Sequence, residues 1–314
     1  MLSFQTQSHF DEVYDCLTQA YESHMDDFEG QYGYLSDADF DQMSDQLGFV
    51  DEQPLIDFES ALGFNSYRRQ MAIALTAFLA GGGDPEYAPE TAFEDDVMEA
   101  MVNSYGAVMV GGRINMVNEH GDAISFCDCA TYEHYIADPI GFDLNDSCVV
   151  VTKELTPYCS SELPPCVCCN DYGKEKGGET FDNEQRKITW TLVFRYRGNQ
   201  WWVVQAGSRA IAKIRGWKAH GSGWKPMKMR MLASAYGDFH DVLCKDPGDI
   251  YTSSKCKKRK TVVATAVLPN FGDPRRTFRS GEPKGKWQFR FDGDCSSTSL
   301  SHYHALTFDP APCN

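Results

Sequence analysis

Residues 187–232 read KITWTLVFRYRGNQWWVVQAGSRAIAKIRGWKAHGSGWKPMKMRML, and this stretch decides the fold. Ile188, Trp190, Leu192, Phe194 and Tyr196 alternate with Thr189, Thr191, Val193, Arg195 and Arg197, the period of a strand with one apolar face. Gly198-Asn199 predicts a tight hairpin, with Trp201, Trp202, Val203 and Val204 running back. Met227, Met229 and Met231 then alternate with Lys228 and Arg230. The pattern predicts a half-buried antiparallel sheet whose outer face is basic. Working outward, strands are expected at 187–197, 200–206, 209–217, 225–233, 260–268, 286–292 and 302–308. In 286–292, Trp287, Phe289 and Phe291 alternate with Lys286, Gln288 and Arg290. Seven short strands with glycine and proline turns predict a sandwich.

The front of the chain has a different period. Phe10, Val13, Tyr14, Leu17, Tyr21 and Met25 form one helical stripe, with Ser8 as the expected cap. Ser36 opens a second helix, Pro54 sits in the first turn of a third that Gly63 ends, and Ser66 caps a fourth over 67–80. After the loop 84–90, Thr91 is expected to open a last helix to about 103. Strands 107–110 and 113–117 flank Gly111-Gly112 as a hairpin, and 123–127 and 148–153 are further strands. The fold class is therefore α+β. An acidic helical module (1–105) precedes a β-hairpin and Cys-rich connecting region (106–185) and a disulfide-rich, mostly antiparallel, sandwich-like region (186–314).

Twelve cysteines are present, seven of them within 127–169. Structural zinc favours two separated Cys-x2-Cys knuckles, which Cys127-x-Cys129 and Cys166-x-Cys168-Cys169 do not supply. The disulfide candidates are Cys127, Cys129, Cys148, Cys159, Cys166, Cys168, Cys169, Cys244, Cys256, Cys295 and Cys313. Disulfides persist in oxidising compartments, so an extracellular or cell-envelope protein is expected, with its leader already removed. The first ten residues, MLSFQTQSHF, have no basic n-region or apolar h-region. The apolar run at 71–80 is too short to span a bilayer, so no transmembrane segment is expected.

The net charge of −16 conceals a polarity. Residues 1–100 hold 22 acidic side chains against Arg68 and Arg69, a net −20, whereas residues 186–290 hold 23 basic against six acidic, a net +17. Opposite fields of this size mark a contact, within the chain or between chains.

Several front-half features carry a resemblance: Leu2-x-Phe4-x-Thr6, the step at 62–66, Asp84-Pro85, and 101–106 leading into 108–114. Together they resemble uncharacterised exported proteins of Bacteroidota, many of them lipoproteins. In that group a helical module precedes a β-hairpin and a β-rich C-terminal region. Arg209 to Trp217 also resembles strands of their C-terminal halves. The resemblance implies export and brings no catalytic residue.

Candidate sites are few. His302 and His304 share a strand face and make a weak metal pair, with Asp292, Asp294 or His240 as a possible third ligand. Asp37, Asp39 and Asp41 begin like a calcium loop, but Gln42 and Gly48 stand where Gly and Glu are required, so an acidic helix start explains them. Nucleophile elbow, phosphate loop, zinc-protease and dinucleotide motifs are absent. The binding candidates are Arg195, Arg197, Lys228, Arg230, Lys286 and Arg290 on the basic face, with Trp202 available to stack on a sugar. The run 255–260 adds further basic charge. No cofactor is expected. The expected function is a non-catalytic extracellular or cell-surface interaction or structural subunit, self-assembling through acidic-to-basic contacts or meeting an anionic partner. A glycan-binding module is the alternative, and a secreted hydrolase the second. Nucleic acid is not favoured, because no separate set of stacking aromatics is identifiable.

Overall fold

The computed structural model describes residues 1–91, 93, 95–118, 123–152, 172–181, 183, 185–197, 207–239, 250–269, 281–290 and 300–305. After a two-residue strand, β1 (Ser3–Phe4), come helices α1 (Gln7–Tyr32), α2 (Asp37–Leu47), α3 (Gln53–Leu62) and α4 (Tyr67–Ala80). A 3-10 turn at Pro85–Tyr87 precedes α5 (Asp96–Met101). Ser36 and Ser66 cap α2 and α4 by accepting the N–H groups of Asp39 and Arg69. Gly48 and Gly63 end α2 and α3 in the left-handed conformation. Two caps differ from expectation. Thr6, extended, accepts the His9 N–H, so α1 is capped two residues before Ser8, whose hydroxyl instead reaches Glu12. Asp95 rather than Thr91 caps α5 by accepting the Met98 N–H.

Strands β2 (Ala107–Val110) and β3 (Arg113–Val117) form the expected hairpin, with Gly111 and Gly112 both at positive φ. β4 (Ala123–Phe126) and β5 (Val149–Thr152) continue a sheet ordered β1-β2-β3-β4-β5. β1 pairs parallel with β2, which ties the chain's start to the middle region. One face packs Val108 and Val110 with Phe4, Phe10, Leu17, Leu55 and Met101 of the helical layer. The other packs Ile114, Met116, Ile124 and Phe126 against Tyr132 and Tyr135 of an unexpected helix, α6 (Cys129–Ala137).

The remaining strands make two sheets. The first runs β13 (Thr261–Pro269), β8 (Gly207–His220), β7 (Arg186–Arg197), β6 (Tyr172–Phe181), with β9 (Gly223–Pro226) beside β8. The second runs β11 (Ile250–Ser253), β10 (Met229–Phe239), β14 (Gly281–Arg290), β15 (Leu300–Ala305), with β12 (Lys257–Arg259) beside β10. All these pairings are antiparallel. Ile188, Trp190 and Leu192 of β7, Ala212 and Ile214 of β8, and Met229, Met231, Ala233 and Ala235 of β10 are buried. β10 packs across β8 and β13 to close the sandwich. At the tightest point a Cβ on Gly216 would sit 2.8 Å from the Met227 carbonyl oxygen, so only glycine fits there.

Trp190 and Leu192 are buried as expected. The partner of β7 is β8, in register from Arg186↔Lys218 to Arg197↔Gly207. The expected turn at 198–199 and strand at 200–206 lie outside the described residues, as do the side chains of Phe194, Arg195, Trp287 and Phe289. The main correction concerns the polar face of β7. Lys187 and Thr189 are buried there, because the 3-10 turn at Pro85–Tyr87 and the loop after it cover this part of the first sheet.

Candidate functional site

The acidic helices lie on the basic strands, and α1 makes the first row of contacts. Its spacing of Glu22, Asp26 and Glu29 puts three carboxylates on one face. Lys257 Nζ is 2.8 Å from Glu22 and 2.6 Å from Asp26, and Arg259 bridges Asp26 and Glu29 with its two Nη atoms. β12 thus sits along a carboxylate ladder. Burial works to raise the Asp26 carboxyl, but the Lys257 hydrogen bond and the Lys257 and Arg259 charges outweigh it and hold it below its ordinary value.

α2 makes the second row. Asp37 and Asp41, one turn apart, accept the backbone N–H groups of Arg230 and Lys228, each at 3.0 Å. Two donors of the basic strand segment are thereby satisfied by carboxylates rather than by another strand. Asp37 is fully buried, with Lys258 Nζ 3.5 Å from its other oxygen. Lys258 also donates to the Leu35 carbonyl and lies 5.1 Å from the Phe40 ring centroid. Burial raises Asp37 to about 6, against the Arg230 N–H and the Lys258 charge, and burial likewise lowers Lys258. Lys228 is buried beside Asp51 at 3.0 Å, over the Phe49 ring. Lys218 pairs with Asp41 and Asp45, Lys225 with Asp45, and Lys260 with Asp51 and Glu52. Further along, Lys187 pairs with Asp84 and Glu86, and Lys176 with Glu90.

The opposite fields therefore meet inside one chain. Contact between neighbouring copies was the other way to satisfy them, and the charge polarity now supplies no ground for it. Two binding candidates change role: Lys228 is buried, Arg230 donates from Nη2 to the Gly33 carbonyl, and both hold the helices. Arg195 and Arg197 lie in β7, Lys286 and Arg290 in β14, and His302 and His304 in β15, while their side chains lie outside the described residues. Trp202, Asp292, Asp294 and His240 lie wholly outside them.

Cys127 and Cys148 form a disulfide with Cα atoms 5.0 Å apart, joining the start of α6 to the start of β5. Cys256 is also disulfide-bonded. Cys129, expected in a bridge, is an exposed free thiol in the first turn of α6, and Cys16 is free on α1. Cys159, Cys166, Cys168, Cys169, Cys244, Cys295 and Cys313 lie outside the described residues.

Where the ion-pair rows separate, a polar seam opens between the layers. Three neighbouring cavities, of about 140, 120 and 320 Å³, share their walls: Thr91 and Arg215 line the first and second, Lys213 the second and third, and Asp96 and Thr261 the first and third. Lys213 and Arg215 are two apart on β8 and so share its helix-facing side with Trp217, whose indole N–H donates to Thr189 Oγ1 at 2.9 Å. Opposite them, α5 places Asp96 and Glu99 three apart on one face. Tyr14 donates to Asp95 at 3.1 Å and Tyr21 to Asp96 at 3.2 Å. Burial, then the Asp96 charge, raises Glu99 to about 7, and burial, then the Arg215 charge, lowers Lys213 to about 8. Perturbed groups of opposite sign at a cavity are a functional-site signal. The sequence reading singled out none of Asp96, Glu99, Lys213 or Arg215. The available signal was two cations two apart inside an apolar run, Ala-Ile-Ala-Lys-Ile-Arg.

No family model and no curated protein matches the chain. A solved structure of a DUF4848 family protein from Bacteroides thetaiotaomicron aligns over 97% of this chain and 96% of its own, at 12% identity and a TM-score of 0.19. A score this low carries no assignment. Among the described residues no helix is long and apolar enough to cross a membrane.

Proposed function

We propose that this chain is a non-catalytic extracellular or cell-surface interaction protein that works as a single folded chain and takes its ligand at the seam between helices and sheet. One observation carries the reading: the basic sheet side is ion-paired to the chain's own acidic helices except at Lys213 and Arg215, which Asp96 and Glu99 face without a bonded contact among the described residues and where the polar cavities open. The ion pairs then serve as a clamp that builds the seam. A saccharide is the favoured ligand class, because the 320 Å³ cavity combines hydroxyls (Tyr21, Ser254, Thr261) with carboxylates and ammonium groups. Export is supported by the disulfides, which suit an oxidising compartment.

Sedimentation velocity from low salt to 1 M, where the Debye length falls to about 3 Å, tests the single-chain part. The same preparation is screened against acidic and neutral oligosaccharides for binding and for turnover. The reading expects one sedimentation coefficient throughout and binding without product. Salt-reversible polymers would restore the structural-subunit reading, and released reducing ends would establish a hydrolase.

A further inference from the structure

The hydrogen-bond inventory of the seam is unbalanced, and its sense identifies a ligand. On the helix side every carboxylate already has a donor. Asp95 accepts the Met98 N–H at 2.7 Å and the Tyr14 hydroxyl at 3.1 Å, Asp96 accepts Tyr21, and Glu99 is bonded to Thr91. On the sheet side the donors lack acceptors. Among the described residues Lys213 and Arg215 make no hydrogen bond and no ion pair within bonding distance, although both line the cavities. An ammonium brings three donors and a guanidinium five, and half-buried donors left without acceptors are costly. Asp95, Asp96 and Glu99 act on Lys213 through space without a hydrogen bond to it, so the missing component is an acceptor-rich group within bonding distance. Arginine's planar fork suits a carboxylate in particular.

The rest of the wall narrows the class. The 320 Å³ cavity that Lys213 lines also exposes Tyr21, Ser254, Thr261, Asp95 and Asp96, with Lys255 among its lining residues. Hydroxyl and carboxylate groups in alternation are what a polyhydroxylated ligand requires, because each sugar hydroxyl both donates and accepts. Asp96 has two carboxylate oxygens, and among the described residues only one is taken, by Tyr21, so an acceptor remains for a ligand hydroxyl.

We propose that the seam binds a uronate, a sugar bearing a carboxylate, with Lys213 and Arg215 holding the carboxylate and Asp96, Tyr21 and Thr261 holding ring hydroxyls. This rests on the interaction-protein reading above and adds the ligand's chemistry to it.

Calorimetric titration of the full chain with digalacturonate, with a neutral digalactoside and with sodium sulfate tests it. The expected result is saturable binding of digalacturonate at least tenfold tighter than either comparison compound. Lys213→Met and Arg215→Met should each weaken it about tenfold, with Lys213→Arg keeping most of the affinity. Lys255→Met, at an exposed position of the same cavity, should weaken it a few-fold while leaving the thermal midpoint unchanged, which covers the case in which a Lys213 variant does not fold. Equal binding of the neutral sugar would overturn the carboxylate assignment and leave the saccharide reading standing. Sulfate binding as tightly as digalacturonate would overturn the sugar assignment. Absence of binding by all three at millimolar concentration would overturn the proposal, while the single-chain reading is judged separately by sedimentation.

Discussion

Asp37→Ala isolates the buried part of the clamp. The side chain is fully buried, accepts the Arg230 backbone N–H at 3.0 Å and faces the Lys258 ammonium at 3.5 Å. Truncation leaves one backbone donor and one buried cation without this partner. Removing one member of a buried pair costs about 3–5 kcal/mol. Lys258 keeps the Leu35 carbonyl and the Phe40 ring, so the lower end, about 3 kcal/mol, is expected here. Asp37→Asn keeps an acceptor for the Arg230 N–H and removes only a charge that burial disfavours, so at neutral pH it should be far less costly than Asp37→Ala. Adding Lys258→Met to Asp37→Ala should recover part of the loss, because no buried cation is then left behind. Equilibrium urea unfolding at neutral pH, followed by tryptophan fluorescence, reads all three as midpoint shifts at constant slope. An Asp37→Ala cost below about 1 kcal/mol, or a double variant less stable than the sum of the singles, would refute the reasoning.

Asp37 and the rim carboxylates should respond to pH with opposite signs. Its folded value, about 6, lies above the unfolded value, so the folded state binds the extra proton and this contribution to stability falls as pH rises between about 4 and 6. Asp26, Asp45 and Asp84 are held below their ordinary values, so their contributions are present at neutral pH and lost on acidification below the ordinary carboxylate range. Urea midpoints from pH 4 to 7 should thus show Asp37→Asn losing the falling limb, and an unchanged profile would exclude the assignment. Trp190→Ala should cost about 3–5 kcal/mol in the same assay, since the ring is buried and lies 2.4 Å from where a Cβ on Gly177 of the neighbouring strand would be. Alkylation without reductant should label Cys16 and Cys129 and spare Cys127, Cys148 and Cys256 in a peptide map. Opening the Cys127–Cys148 loop, 21 residues long, should cost about 3 kcal/mol.

Local chemistry made much of the fold legible. Ser36 and Ser66, Gly48 and Gly63, and Gly111-Gly112 act through their own backbone geometry, and each stands at the boundary it implies. Alternation at 187–192 gave the right buried face. Alternation cannot distinguish water from a second polar layer, so Lys187, Thr189 and Lys228 read as surface although acidic segments of the front half bury them. β12 reads as a basic loop because three residues, Lys-Lys-Arg, carry no period. β6 is hidden by its composition, GKEKGGET, and β1 by its two-residue length. The charge polarity was plain as totals, but its pairing was not, because Glu22 and Lys257 are 235 residues apart. The seam was less legible still: Lys213 and Arg215 differ from the clamping cations in making no hydrogen bond or ion pair among the described residues, a property of the assembled chain.

The central claim, that the acidic helices are clamped on the same chain's basic strands, is tested most directly by a double-mutant cycle between Glu29 and Arg259. Their charged atoms are 2.8 Å apart and Arg259 is buried, so the coupling should be about 1.5–3 kcal/mol. Glu29→Gln, Arg259→Met and the double variant are unfolded in urea at two protein concentrations a hundredfold apart. The account predicts the same coupling at both, because the partners belong to one molecule. Zero coupling, or coupling that vanishes on dilution, would contradict it.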